Sequence, residues 1–175
     1  MTSEGGSGWR PEIRVIRSAQ RRRTVSAQMV GGVLEVRVPS WMSAQDREQW
    51  VERMRERIQR KVERADGDRD LDRRAQMLNQ RLFGGQLRWS SIGWAEQRRR
   101  WASCSPGSAG IRISTRAARL PDWVLDYLLV HELSHLLEAN HGRGFWDLVN
   151  RYPLTERARG YLMALDHMEG QAAKA

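Results

Sequence analysis

From Val25 onward, apolar and polar positions alternate in a way that suits a pleated strand. Val25, Ala27 and Met29 alternate with polar neighbours, Gly31-Gly32 marks a turn, and Leu34, Val36 and Val38 alternate again up to Pro39. This predicts a β-hairpin over 24–38. The period then changes from two to that of a helix. Val51, Met54, Ile58 and Val62 recur on one face, behind a Ser43/Asp46 pair that suits a helix start, which predicts a helix over 43–64. Interleaved Glu and Arg cover its other faces. Asp66-Gly67-Asp68 predicts a break, and Leu71, Ala75, Leu78 and Leu82 predict a second helix over 71–83, stopped by Gly84-Gly85.

Short strands are expected around Leu87 to Ile92 and over Gly110 to Ser114. Pro121-Asp122 then opens the most apolar helix of the chain, expected to reach roughly Leu137. Past Pro153, Thr155 is placed to cap a last helix with Ala158, Leu162 and Leu165 inward. The pattern reads as α+β, with a small, mostly antiparallel sheet packed by three or four helices. One domain is expected over 9–170, its last part 87–170, between Gly/Ser-rich or loose tails at 1–8 and 171–175.

Composition narrows the class. The chain has 175 residues, 40% hydrophobic and 29% charged, which suits a globular domain with a core of its own. No apolar run approaches membrane-spanning length and the N-terminus carries no apolar signal segment, so a cytoplasmic protein without a membrane partner is expected. Cys104 is the only cysteine, which excludes an internal disulfide. The net charge of +9, with Arg clusters at Arg21–Arg23 and Arg98–Arg100, permits nonspecific contact with nucleic acid. Solvated helix faces account for the same arginines more simply.

The candidate chemistry lies in the apolar helix, which reads L-L-V-H-E-L-S-H-L-L-E-A-N-H-G. His131 and His135 are four residues apart, so both imidazoles leave one helical face and can share a tetrahedral zinc. Glu132, beside the first of them, is placed to reach a metal-bound water and is the expected general base. His141 is the expected third ligand, leaving one coordination position open, as in catalytic sites. On a continuous helix it would lie about 9 Å beyond His135, so the helix is expected to end between Glu138 and His141. Asn140 and Gly142 can supply the turn. A surface helix carrying these residues by chance fits poorly, because Tyr127 to Val130, Leu133, Leu136 and Leu137 predict burial. An unpartnered buried carboxylate with two imidazoles would cost several kcal/mol.

These segments also carry a family resemblance. R-R-W-A-S-C-S at Arg99 to Ser105, G-I-R-I-S at Gly110 to Ser114, the motif helix, and N-H-G-R-G-F-W ending at Trp146 resemble the YgjP-like (DUF45) zinc metallopeptidases, relatives of the WLM and SprT-type proteases. The family has Gly where this chain has Ala102, and usually Asn at Ser114. The resemblance implies a zincin-like fold with one Zn2+ per chain on His131, His135 and His141, a catalytic Glu132, and a protein or peptide substrate. It further implies that Gly110 to Ser114 is the strand beside which extended substrate pairs.

Other residues weigh less. His167 and Glu156 read as surface positions, since His141 completes the ligand set. Cys104 reads as a small core residue rather than a thiol nucleophile or a ligand. Phe145 and Trp146 are expected to close the core behind His141. The rival functions are a nucleic-acid-associated zinc protein, either a protease of DNA- or RNA-bound proteins or a structural zinc scaffold against which an intact Glu132 argues, and a zinc hydrolase of a non-peptide amide.

Overall fold

The alternating segments form two small sheets, one in each of two units spanning Met1–Ala65 and Asp66–Ala175. The computed structural model describes residues 11–172, with side chains to 169, so the expected loose tail at 1–8 lies outside the described residues. In chain order the elements are β1 (Glu12–Ser18), β2 (Ser26–Val30), β3 (Val33–Pro39), α1 (Ala44–Phe83), β4 (Ser91–Ala95), β5 (Ala102–Ser105), β6 (Gly110–Ser114), α2 (Asp122–Ser134), α3 (Arg143–Val149) and α4 (Thr155–Ala172). Gln171 and Ala172, expected in a loose tail, belong to α4. Among the described residues no helix is long and apolar enough to cross a membrane.

In the first unit the hairpin β2–β3 turns at Gly31 and Gly32, whose φ values of 57° and 85° favour glycine. A third strand, β1, lies ahead of the predicted hairpin; it pairs with β3 in parallel and leaves β3 in the middle. Leu34, Val36 and Val38 on β3 are fully buried against Met42 and Met54, with Trp50, Val51 and Ile58 of α1 packed around them. Ser43 caps α1: its Oγ accepts from the Asp46 N–H at 3.1 Å and donates to the Asp46 carboxylate at 2.7 Å.

The predicted break at Asp66-Gly67-Asp68 does not occur, because α1 runs unbroken for 40 residues. In the second unit those residues form a docking point for β4. The Asp68 carboxylate accepts the Trp94 N–H at 2.7 Å. A Cβ on Gly67 would stand 3.0 Å from the Trp94 indole. A Gly that costs about 1 kcal/mol of helix propensity is retained here because a strand lies against it. The helix stops where expected, at Gly84 and Gly85 with φ of 64° and 70°. Just inside that end the buried Asn79 amide bonds both the N–H and the C=O of Leu87.

The second sheet has the order β4-β6-β5, with β4 parallel and β5 antiparallel to β6. Each sheet therefore mixes one parallel and one antiparallel pair, where the pattern suggested mostly antiparallel pairing. The fold class is α+β, as expected. Isolated positions of β5 gave no alternation to read, and its partner β6 supplies the pairing. Ile111, Ile113, Val124, Leu129, Val130, Leu133, Phe145 and Val149 form the fully or nearly fully buried centre of this unit. Arg74 of α1 joins the start of α2, bonding Asp122 through side chain (2.9 Å) and carbonyl (2.8 Å) and pairing with Asp126. Thr155 does begin α4, but its hydroxyl donates back to the Val149 and Tyr152 carbonyls at 2.9 Å.

Candidate metal centre

Pro121 sets the entry to α2, and its carbonyl accepts from the Val124 and Leu125 N–H groups. The helix then buries Leu125, Leu128, Leu129 and Leu133, which orients the face carrying His131, Glu132 and His135 toward β5, α3 and α4. Regular helix ends at Ser134, three residues before the expected Leu137, which is 55% exposed. The cause is local. Leu136 N–H bonds the Leu133 carbonyl and Leu137 N–H bonds the Ser134 carbonyl, so the last turn tightens. A close turn from Gly142 N–H to the Asn140 carbonyl at 2.8 Å then reverses the chain. The turn forms without a left-handed Asn140; Ala109 is the one described non-glycine residue with positive φ.

This earlier turn brings His141 back over the helix. The donor atoms of His131, His135 and His141 all lie within 4.8 Å of one another. Nε2 of His141 is 3.1 Å from Nε2 of His131, close to the roughly 3.3 Å that two ligands of a tetrahedral zinc with Zn–N of 2.0–2.1 Å require. His135 Nδ1 lies 3.1 Å from the Glu138 carbonyl. A carbonyl only accepts, so Nδ1 carries the proton and Nε2 keeps its lone pair. Phe145, fully buried, packs against all three imidazoles with ring centroids 4.5–4.8 Å away. Burial, then the neighbouring His135 and His141, holds His131 far below its usual range, at about 3. His135 is also lowered, chiefly by burial. Neutral imidazoles are what a cation needs, so the residues present fit a divalent metal.

Glu132 is 5% exposed. Burial pushes its carboxyl up to about 7, against opposing contributions from Arg100 and from the Cys104 main-chain N–H that it accepts. Cys104, half-buried and free, is raised to about 11 by burial and then by Glu132. Two clefts meet here. One, of about 410 Å³, runs along β5 past Ser103 and Cys104, the three histidines and Glu132, with Arg100 at its edge. The other, of about 330 Å³, is bounded by Trp101, Tyr127, Leu162 and Met163. Ala102, His131 and Glu132 line both.

The strand along this site is β5, an edge strand of its sheet. The expectation that Gly110 to Ser114 pairs with substrate is therefore corrected: β6 is bonded on both sides, to β4 and β5, and has no free edge. Glu156 is exposed and pairs with Arg159 at 2.7 Å, and neither it nor His167 joins the donor cluster among the described residues. Sequence reasoning missed Tyr127, whose hydroxyl faces His131 Nδ1 at 3.5 Å, and Arg159, which lies over the Trp146 ring at 4.5 Å. Tyr127 carries a readable signal, one turn before His131; Arg159 carries none.

A family model described as YgjP-like, metallopeptidase domain, matches residues 67–164, more than half of the chain. The chain belongs to the YgjP-like metallopeptidase family. The match opens at the start of the second unit and takes in α2, α3 and every residue of the site. No curated protein matches the chain. Among solved structures it is similar to the metallopeptidase zymogen of Pyrococcus abyssi abylysin, at 23% identity and a TM-score of 0.46, over 51% of this chain and 86% of that one.

Proposed function

We propose that this YgjP-like chain is a zinc-dependent peptidase in which His131, His135 and His141 hold one zinc ion and Glu132 is the general base. The observation that carries the reading is the convergence of three imidazole donors within 4.8 Å, beside a buried carboxylate, in a cleft open to solvent along β5. Zinc held there would supply Lewis acidity toward water and a carbonyl oxygen. Glu132, buried beside the histidines, accepts a proton from the attacking water and returns it to the leaving amine. The Cys104 main-chain N–H favours the ionised carboxylate that this transfer needs. The His135–Glu138 bond holds that ring's tautomer and direction. Extended substrate adds to the free edge of β5, which suits a peptide better than a compact non-peptide amide.

The test is hydrolysis of casein by purified protein with metal content measured on the same sample. Cleavage is expected with close to one zinc per chain, abolished by 1,10-phenanthroline and restored by added zinc. Cleavage that survives complete removal of metal would overturn the reading.

A further inference from the structure

Beside the metal centre the second cleft has a different chemistry. Its walls are Trp101, Tyr127, Leu128, Leu162 and Met163, and its inner end is His131 with Glu132. Two charged residues stand at its rim, and both are already engaged. Asp166 accepts the Trp101 indole N–H at 2.8 Å. Arg159 bonds Glu156 at 2.7 Å and lies over the Trp146 face. The two rim charges are of opposite sign and each already bonds a protein group, so apolar surface is the larger part of what the cleft presents to a ligand. Met163 is 70% exposed and on the rim, a flexible thioether that adapts to whatever enters.

We propose that this cleft is a specificity subsite that takes one bulky apolar side chain, of the Leu, Met or Phe class, immediately beside the scissile bond. The inference rests on the peptidase reading for its occupant. Ala102 opens β5 and lines both clefts, as do His131 and Glu132. A chain paired along β5 with its reacting carbonyl at Glu132 must therefore place one neighbouring side chain over Trp101, Tyr127 and Met163. The volume of about 330 Å³ holds a single large side chain and leaves no room for a folded element. Transfer of such a side chain from water to these walls supplies the preference, and pockets of this kind discriminate by roughly 10- to 200-fold per methylene-sized difference.

Two measurements test the subsite separately from the peptidase activity. In the first, the isotope-labelled full chain is titrated with N-acetyl-leucinamide, N-acetyl-phenylalaninamide and N-acetyl-aspartamide and followed by amide chemical shifts. The two apolar probes should shift Tyr127, Leu128 and Met163 in the millimolar range, the acidic probe should not, and Met163→Glu should abolish the shifts. Met163 is exposed enough for that variant to fold, which its amide spectrum verifies directly. Equal shifts from all three probes, or none, would overturn the subsite. In the second, cleavage sites in casein are mapped by mass spectrometry. Leu, Met and Phe should be enriched at one position flanking the cut, and Met163→Glu should lower kcat/KM at those sites at least tenfold. Cleavage without preference at either flank also overturns it. Apolar probes that bind in the cleft of a chain that cuts nothing would leave the subsite standing and remove the peptidase reading instead.

Discussion

His131 and His141 present their Nε2 atoms to each other at 3.1 Å, although ten residues of chain and a helix end separate them. Two imidazole Nε2 lone pairs turned toward each other repel, and a cation between them removes the cost of the arrangement.

Metal content follows from that geometry. His131→Ala, His135→Ala and His141→Ala should each lose zinc, while His167→Ala and Glu156→Ala retain it. Elemental analysis after dialysis checks this. Zinc retained by His141→Ala at wild-type affinity would remove the third ligand from the site. Chelation should also lower Tm of the wild type, since a ligand that binds only the folded state adds RT ln(1 + [L]/Kd) to stability.

Glu132 separates an enzyme from a metal-stabilised scaffold. Glu132→Gln keeps shape and burial but cannot accept a proton, so hydrolysis should fall by about 10²- to 10⁴-fold with zinc content unchanged. Melting and metal analysis on the same samples make the distinction. A variant with full turnover would exclude Glu132 as the base.

Cys104 tests the rival thiol chemistry. Burial and the neighbouring Glu132 hold its pKa at about 11, so it remains a thiol at neutral pH. Iodoacetamide at pH 8 should label the folded protein at least tenfold more slowly than the urea-unfolded chain, with the rate rising toward pH 11 as thiolate forms. Cys104→Ala retains the main-chain N–H that Glu132 accepts and should still hydrolyse substrate. Rapid labelling of the folded protein with loss of activity would return the cysteine to the mechanism.

Asp68 tests the junction between α1 and β4. Asp68→Ala leaves the half-buried Trp94 N–H without its acceptor and should cost about 1–3 kcal/mol. Asp68→Asn, which keeps an acceptor oxygen, should recover most of it. Urea unfolding of the three proteins measures the difference; equal midpoints would mean the bond carries no stability.

Much of this was legible locally. Residues four apart share a helical face whatever surrounds them, so His131 and His135 could be paired from spacing alone. The starts of α1 and α2, the Gly84-Gly85 stop and the Gly31-Gly32 turn are matters of backbone conformation and capping within a few residues. Asp66-Gly67-Asp68 misled because its strand partner lies about 26 residues further on. In isolation those three residues disfavour a helix, and the Asp68 bond with the Trp94 contact reverses the balance.

The α+β class, the candidate ligands and base, and the apolar helix that carries His131 and Glu132 and ends at His135 were readable from the sequence, because these depend on residue type and short-range spacing. How His141 returns, which strand has a free edge, and which side chains wall the site depend instead on packing between distant segments. The return of His141 depends on a tightened turn after Ser134. The free edge belongs to β5 because β6 pairs on both sides. The second cleft joins Trp101, Tyr127 and Met163 from β5's approach, α2 and α4. Contacts between residues so far apart in the chain leave no periodicity behind, since each depends on a packing partner that local pattern cannot specify.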